Sequence, residues 1–221
     1  MPAGRGPGIG IPGSYPPVRV VLCARAAAMT LERPVWAPAP IVAIVGWKNA
    51  GKTSVVEALV SILTSRGLDV ATVKHAHHSF DVDHEGTDSA RHRAAGASQV
   101  AIVSRTRSAV MREHGENGEP ALEDVVALLQ PCDVIIVEGY KGAAIPKIEL
   151  RRRGAVSDAS IAERDPYVIA VVADHPQPGE RLPVLDMGAP AALADFILET
   201  LSETGTDEGK QKAPAGKQAS F

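Results

Sequence analysis

Cysteine, net charge and long apolar runs are all scarce in this sequence. Only Cys23 and Cys132 are present, too few for a disulfide framework, and a reducing compartment is the natural reading. The formal net charge is −3 over 221 residues, which leaves no broad field for a polyanion. Non-specific nucleic-acid binding is thereby disfavoured, and any phosphate recognition must come from local geometry. The longest apolar stretches, such as 134–137 and 168–173, are far too short to cross a bilayer, so no transmembrane helix is expected. With 45% hydrophobic residues the chain can build one compact domain with a core of ordinary size, and a second full domain is not expected.

Residues 1–38 are rich in Gly, Pro, Arg and Ala and read as a disordered leader. Arg25 splits its one apolar run, Val20 to Ala28, which argues against an export signal. Met29 lies nearer the first strand and offers an alternative start. At the other end, 203–221 is polar and reads as a flexible tail. Between them, 39–202 alternates strands with helices, which predicts an α/β fold with a mostly parallel sheet flanked by helices. Strands are expected at 41–45, 70–73, 99–103, 109–112, 134–137, 147–151, 168–173 and 184–186, the third and fourth forming an antiparallel hairpin extension. Helices are expected at 52–66, where Val55, Val56, Leu59, Ile62 and Leu63 share a face and Gly67 supplies the stop, and at 88–95, 123–129 and 191–201.

The most informative segment is Gly46-Trp47-Lys48-Asn49-Ala50-Gly51-Lys52-Thr53, which matches G-x-x-x-x-G-K-[ST] between an apolar strand and an amphipathic helix. Background composition gives such a match in about one chain per hundred of this size; the flanking strand and helix make it more specific. Gly46 and Gly51 carry no Cβ, so successive N–H groups can converge on polyphosphate oxygens at the positive end of the helix. Lys52 adds a cation for the phosphates, Thr53 a hydroxyl for Mg²⁺, and Ser54 continues the helix entrance. The candidate nucleotide site therefore runs from Gly46 to Ser54.

A second element is Asp133-Val-Ile-Ile-Val137-Glu138-Gly139, a buried strand ending in an acid that should face the ligand crevice. Glu138 is a candidate for holding magnesium or orienting an attacking water. Asp133, at the opposite end, reads as a cap or turn residue. After the second strand comes Lys74-His75-Ala-His77-His78, with Asp81 and Asp83 close behind. His75, His77 and His78 are open to three readings: a solvated loop, a transition-metal site, or contact with phosphate and an anionic partner. The absence of accompanying cysteine argues against structural zinc. Asp83 is the preferred magnesium-side acid of this loop.

These blocks, together with Gly86, Asp88-Ser89, Val137-Glu-Gly-Tyr-Lys141, Lys147-Ile148, the apolar strand ending in Asp174 and Leu185-Asp186, resemble the molybdopterin-guanine dinucleotide biosynthesis adapter family, MobB. The resemblance spans most of 41–200. It implies a P-loop NTPase fold, GTP binding with at most slow hydrolysis, a homodimer, and association with the guanylyltransferase that joins GMP to molybdopterin, with molybdopterin or its guanine dinucleotide as a further ligand. Thr87 departs from the lysine expected there.

Asp174 is then the candidate acceptor for guanine N1 and N2. Lys141 and Lys147 have two readings, contact with phosphate or the pterin's anionic tail, and exposure on a surface loop. Arg151 to Arg153 read as a solvated strand edge. Two other functions compete with the adapter: a GTPase metallochaperone using the histidines, and a small-molecule kinase. No long arginine-rich lid favours the kinase, and no arginine finger is evident, so hydrolysis should not exceed about 10⁻² s⁻¹. Cytoplasmic location follows from nucleotide-dependent chemistry.

Overall fold

The computed structural model describes residues 33–76, 83–115 and 118–202. Its centre is β1 (Ile41–Gly46), which pairs in parallel with β5 (Val134–Glu138) on one side and β6 (Lys147–Arg151) on the other. Adding β2 (Val70–Lys74), β7 (Val168–Ala173) and β8 (Val184–Asp186) gives a six-stranded sheet of order β2-β5-β1-β6-β7-β8, with every pair parallel. β1, β5 and β7 are buried at every position. This is why they read as continuous apolar runs rather than alternating ones.

Successive side chains of a strand point to opposite faces, and two apolar layers result. Val42 and Ile44 face a layer with Leu59 and Leu63 of α1 (Lys52–Ser65) and Phe196 and Ile197 of α4 (Pro190–Ser202). Ile41, Ala43 and Val45 face the other, with Leu122 and Val126 of the short α3 (Leu122–Val126) and with Ala37 and Ala39. Helix α1 ends as expected: Gly67 takes φ +84°, and the Leu68 N–H reaches back to Leu63 O at 3.2 Å. Helix α3 is shorter than expected because Leu128 and Leu129 donate to Val125 and Val126 three residues back, tightening the end into a 3₁₀-like turn. The hairpin extension is present as a separate antiparallel pair, β3 (Gln99–Val103) with β4 (Ser108–Arg112). It packs beside α2 (Asp88–Ala94) and leaves Ile102, Val103 and Val110 exposed.

Strand β6 corrects two expectations. Lys147 is only 1% exposed and its ammonium lies 2.7 Å from Asp165, so it is neither a surface lysine nor a phosphate ligand. Arg151 is not a solvated edge residue. Its guanidinium donates to Glu149, Glu180, Gln177 and Ser160 at 2.7–3.1 Å, bonds that hold it charged well into the alkaline range despite partial burial. Since Ile148 and Leu150 pack in the α1–α4 layer, Lys147, Glu149 and Arg151 share the opposite face and form a ladder of buried charges. Glu149 also accepts the N–H groups of Ile161 and Ala162 at 2.8 and 3.0 Å. The ladder pins the 152–167 crossover to the sheet, where an amphipathic helix would more commonly lie.

Breaking such a pair strands a buried charge. Asp165→Ala should therefore lower unfolding stability by about 3–5 kcal/mol. Lys147→Met should cost less, because Asp165, its side chain 16% exposed against 1% for Lys147, keeps a route to water; urea denaturation of the two variants checks the order.

Candidate functional site

The phosphate loop sits at the carboxyl end of the central strand. Backbone packing there is tight: a Cβ on Gly46 would lie 2.9 Å from Leu150 O and 3.1 Å from the Ala50 Cβ, so only glycine fits at the exit of β1. Asn49 (φ +69°) and Gly51 (φ +87°) take left-handed conformations that curl the chain, and Ala50 is fully buried beneath it. The loop then enters α1, whose first turn carries Lys52, Thr53 and the exposed Ser54. No side chain caps this helix start, leaving its N–H groups for a ligand.

Lys52 folds over the loop, donating to Gly46 O at 3.1 Å and Trp47 O at 2.9 Å. Burial, and then the neighbouring Lys141 charge, push its pKa below the ordinary lysine value, with Glu138 opposing. The Thr53 hydroxyl donates to Glu138 Oε1 at 2.8 Å, which brings together two of the three residues expected to hold magnesium. A hydroxyl and a carboxylate oxygen at one point are the donor set of a hard divalent cation, so the residues present fit the metal. Lys74 Nζ stands 3.4 Å from Glu138 Oε1 and 3.5 Å from Thr53 Oγ1. In the sequence Lys74 stands out only as part of the Lys74-His75-Ala-His77-His78 run. The signal lies in the register, where Lys74 at the end of β2 is directly opposite Glu138 at the end of β5.

Around this floor opens a cleft of ≈1130 Å³ lined by Lys52, Lys74, His75, Glu138, Lys141 and both tryptophans, among others. Lys141 Nζ lies 3.9 Å above the Trp47 ring, a cation–π contact that fixes the ammonium beside the loop. Its pKa is lowered by burial, with Glu149 opposing. His75 stacks on Tyr140 at 4.6 Å between ring centroids and pairs with Glu119 at 2.7 Å. Gly139 permits that stack, because a Cβ there would meet the His75 Cβ at 3.0 Å. Tyr140 stood out in the sequence only within the Val137–Lys141 motif, and Glu119 not at all.

Other expected residues stand elsewhere. Asp83 is not among the cleft residues. Its Oδ1 accepts from Thr87 and Ser89, each at 2.8 Å, and its Oδ2 lies 3.7 Å from Arg93. The expected magnesium-side acid is instead the anchor of the α2 start, and Thr87 is that helix's cap through Ala90 N–H. Asp174 is also outside the cleft, at the end of β7. Its carboxylate pairs with His175 at 2.7 Å and accepts the Arg153 N–H at 3.0 Å, contacts that depress its pKa. His77, His78 and Asp81 lie outside the described residues. Among the described residues no group of three His, Cys, Asp or Glu side chains is placed to hold a metal ion, and no helix is long and apolar enough to cross a membrane.

A parallel sheet whose central strand turns through G-x-x-x-x-G-K-T into a helix, with an acid ending the adjacent strand, defines the P-loop NTPase class of α/β folds. Within that class, the family described as "Molybdopterin guanine dinucleotide synthesis protein B", MobB, matches residues 41–174, and this chain belongs to it. It is 36% identical over 166 residues to the molybdopterin-guanine dinucleotide biosynthesis adapter protein of Escherichia coli, covering 74% of this chain and 94% of that protein. The Haemophilus influenzae protein of the same description is 37% identical over 72% of this chain and 87% of its own length. Among solved structures, MobB of Bacillus subtilis matches with a TM-score of 0.57 and 26% identity, covering 73% of this chain and 98% of that one.

The reassignment of Asp83 has a direct check. Asp83→Ala should raise amide exchange in Asp88–Ala94 by roughly 10–100-fold, in line with a loss of about 1–3 kcal/mol of local stability. Protection in β1 and β5 should stay unchanged, as should nucleotide uptake by calorimetry.

Proposed function

We propose that this chain is a GTP-binding adapter in the biosynthesis of molybdopterin guanine dinucleotide. It serves the guanylyltransferase that joins GMP to molybdopterin, in the cytoplasm where nucleotide and partner meet. The observation that carries the reading is the convergence of Lys52, Lys74 and Lys141 with Thr53 and Glu138 around the uncapped start of α1. Backbone N–H groups and the Lys52 ammonium bind the β and γ phosphates. Thr53 and Glu138 would hold the magnesium, which would neutralise charge on the phosphate chain.

Hydrolysis is slow in this reading. Glu138 is engaged by Thr53 and faced by Lys74, so it is a poor base for an attacking water. The cleft exceeds the roughly 300–1,000 Å³ that one small ligand commonly needs. Its Trp36, Trp47, Tyr140 and His75 rings suit a second, planar anionic ligand such as molybdopterin or its dinucleotide beside the GTP. Homodimerisation, which the family resemblance implies, has an apolar surface available in Ile102, Val103 and Val110 of the β3–β4 pair.

Calorimetry with GTP and Mg²⁺ should show uptake by the native chain and none by Lys52→Ala, with the far-UV spectrum intact in both. A pull-down with the cognate guanylyltransferase, run with and without GTP, should retain the partner. Unchanged GTP affinity in Lys52→Ala, or failure to retain the transferase under both conditions, would count against the adapter reading.

A further inference from the structure

Resting on the nucleotide reading above, we infer that Arg152 is a built-in cation of the phosphate site, reaching the bound polyphosphate from the β6 side of the loop. A methyl group on Gly51 would lie 3.5 Å from Arg152 Nη1 and 3.8 Å from its Cδ. The arginine therefore leans against the loop at the glycine that precedes Lys52. Arg152 is exposed, and its guanidinium makes no hydrogen bond or ion pair among the described residues. An arginine with five donors, its guanidinium unpaired among the described residues and held beside the glycine that enters the uncapped start of α1, is placed for a bidentate contact with phosphate.

The segment carrying it is fastened on every side. Before it, Arg151 is fixed by Glu149 and Glu180. After it, the Arg153 N–H donates to Asp174. Further on, the Val156 N–H donates to Lys48 O at 3.1 Å and Trp47 Nε1 to Ala159 O at 2.6 Å. Two of these bonds run between the 152–159 segment and the phosphate loop itself. The two pieces of chain thus keep a fixed separation, and the Arg152 Cα is set before any ligand arrives, so only side-chain ordering opposes its contact. Arg152 is absent from the cleft lining, whereas Lys52, Lys74 and Lys141 are in it. The loop is thereby flanked by cations on two sides, and a polyphosphate lying in it meets Arg152 whether or not a γ phosphate is present.

The test is calorimetry on the full chain with GDP and with GTP, both with Mg²⁺, using native protein, Arg152→Ala and Arg152→Lys. Arg152→Ala should weaken both nucleotides about tenfold, the scale of one charge-assisted phosphate contact, and the loss should shrink as KCl is raised. Arg152→Lys, which keeps charge without the fork, should recover part of it. Melting temperature without nucleotide should be unchanged, since Arg152 supports nothing in the fold. If native protein binds both nucleotides and Arg152→Ala matches it, the Arg152 assignment is overturned while the nucleotide reading stands. If native protein takes up neither, the nucleotide reading fails and this assignment with it.

Discussion

The close approach of Gly46 to the Leu150 carbonyl is the constraint from which the site follows. It seats the end of β1 against β6 with no room for a side chain, so the chain must turn at that point and at that height above the sheet. The parallel ladder to β5 then sets Glu138 level with Ile44, and β2 sets Lys74 level with Glu138. Thr53, in the first turn of α1, reaches that carboxylate because loop and helix start at the same edge. A helix entrance, an acid and several lysines are thus assembled by strand register, with no dedicated scaffold of their own.

The buried charges of β6 look costly beside a hydrophobic alternative, since desolvating ions is only partly offset by pairing them. Their arrangement suggests what they contribute. Lys147, Glu149 and Arg151 each hold a different stretch of the 152–180 chain, which has no helix to fix its path. Apolar packing would hold such a segment near the sheet; directional bonds hold it in one place. That definition reaches the phosphate loop through Trp47 and Lys48.

Much of this was legible in the residues. The loop Gly46–Thr53, the glycine stop at Gly67 and the apolar strands carry local signals that the sheet only had to accept. The antiparallel pair was visible in its polar link. What escaped depended on distant partners. Lys147-Ile-Glu-Leu-Arg151 alternates as a half-exposed strand should, and nothing local announces that Asp165 and Glu180 bury its polar face. Asp83 drew notice as an acid near histidines, although Thr87 and Ser89 downstream already offered it a helix-start role. Lys74 becomes meaningful only once β2 is known to lie beside β5, and Arg152 only once its crossover is known to rest on the loop.

The position of β1 also bears on how the chain reaches this state. Its two neighbours, β5 and β6, come about 90–100 residues later in synthesis, so an emerging β1 and α1 have no sheet to join until those strands leave the ribosome. Closure of the centre is a late, non-local event, of the kind that slows folding, and the nascent amino-terminal half presents bare strand edges in the interval. The same burial that fixes β1 at the centre of the finished sheet leaves it without partners in the unfinished one.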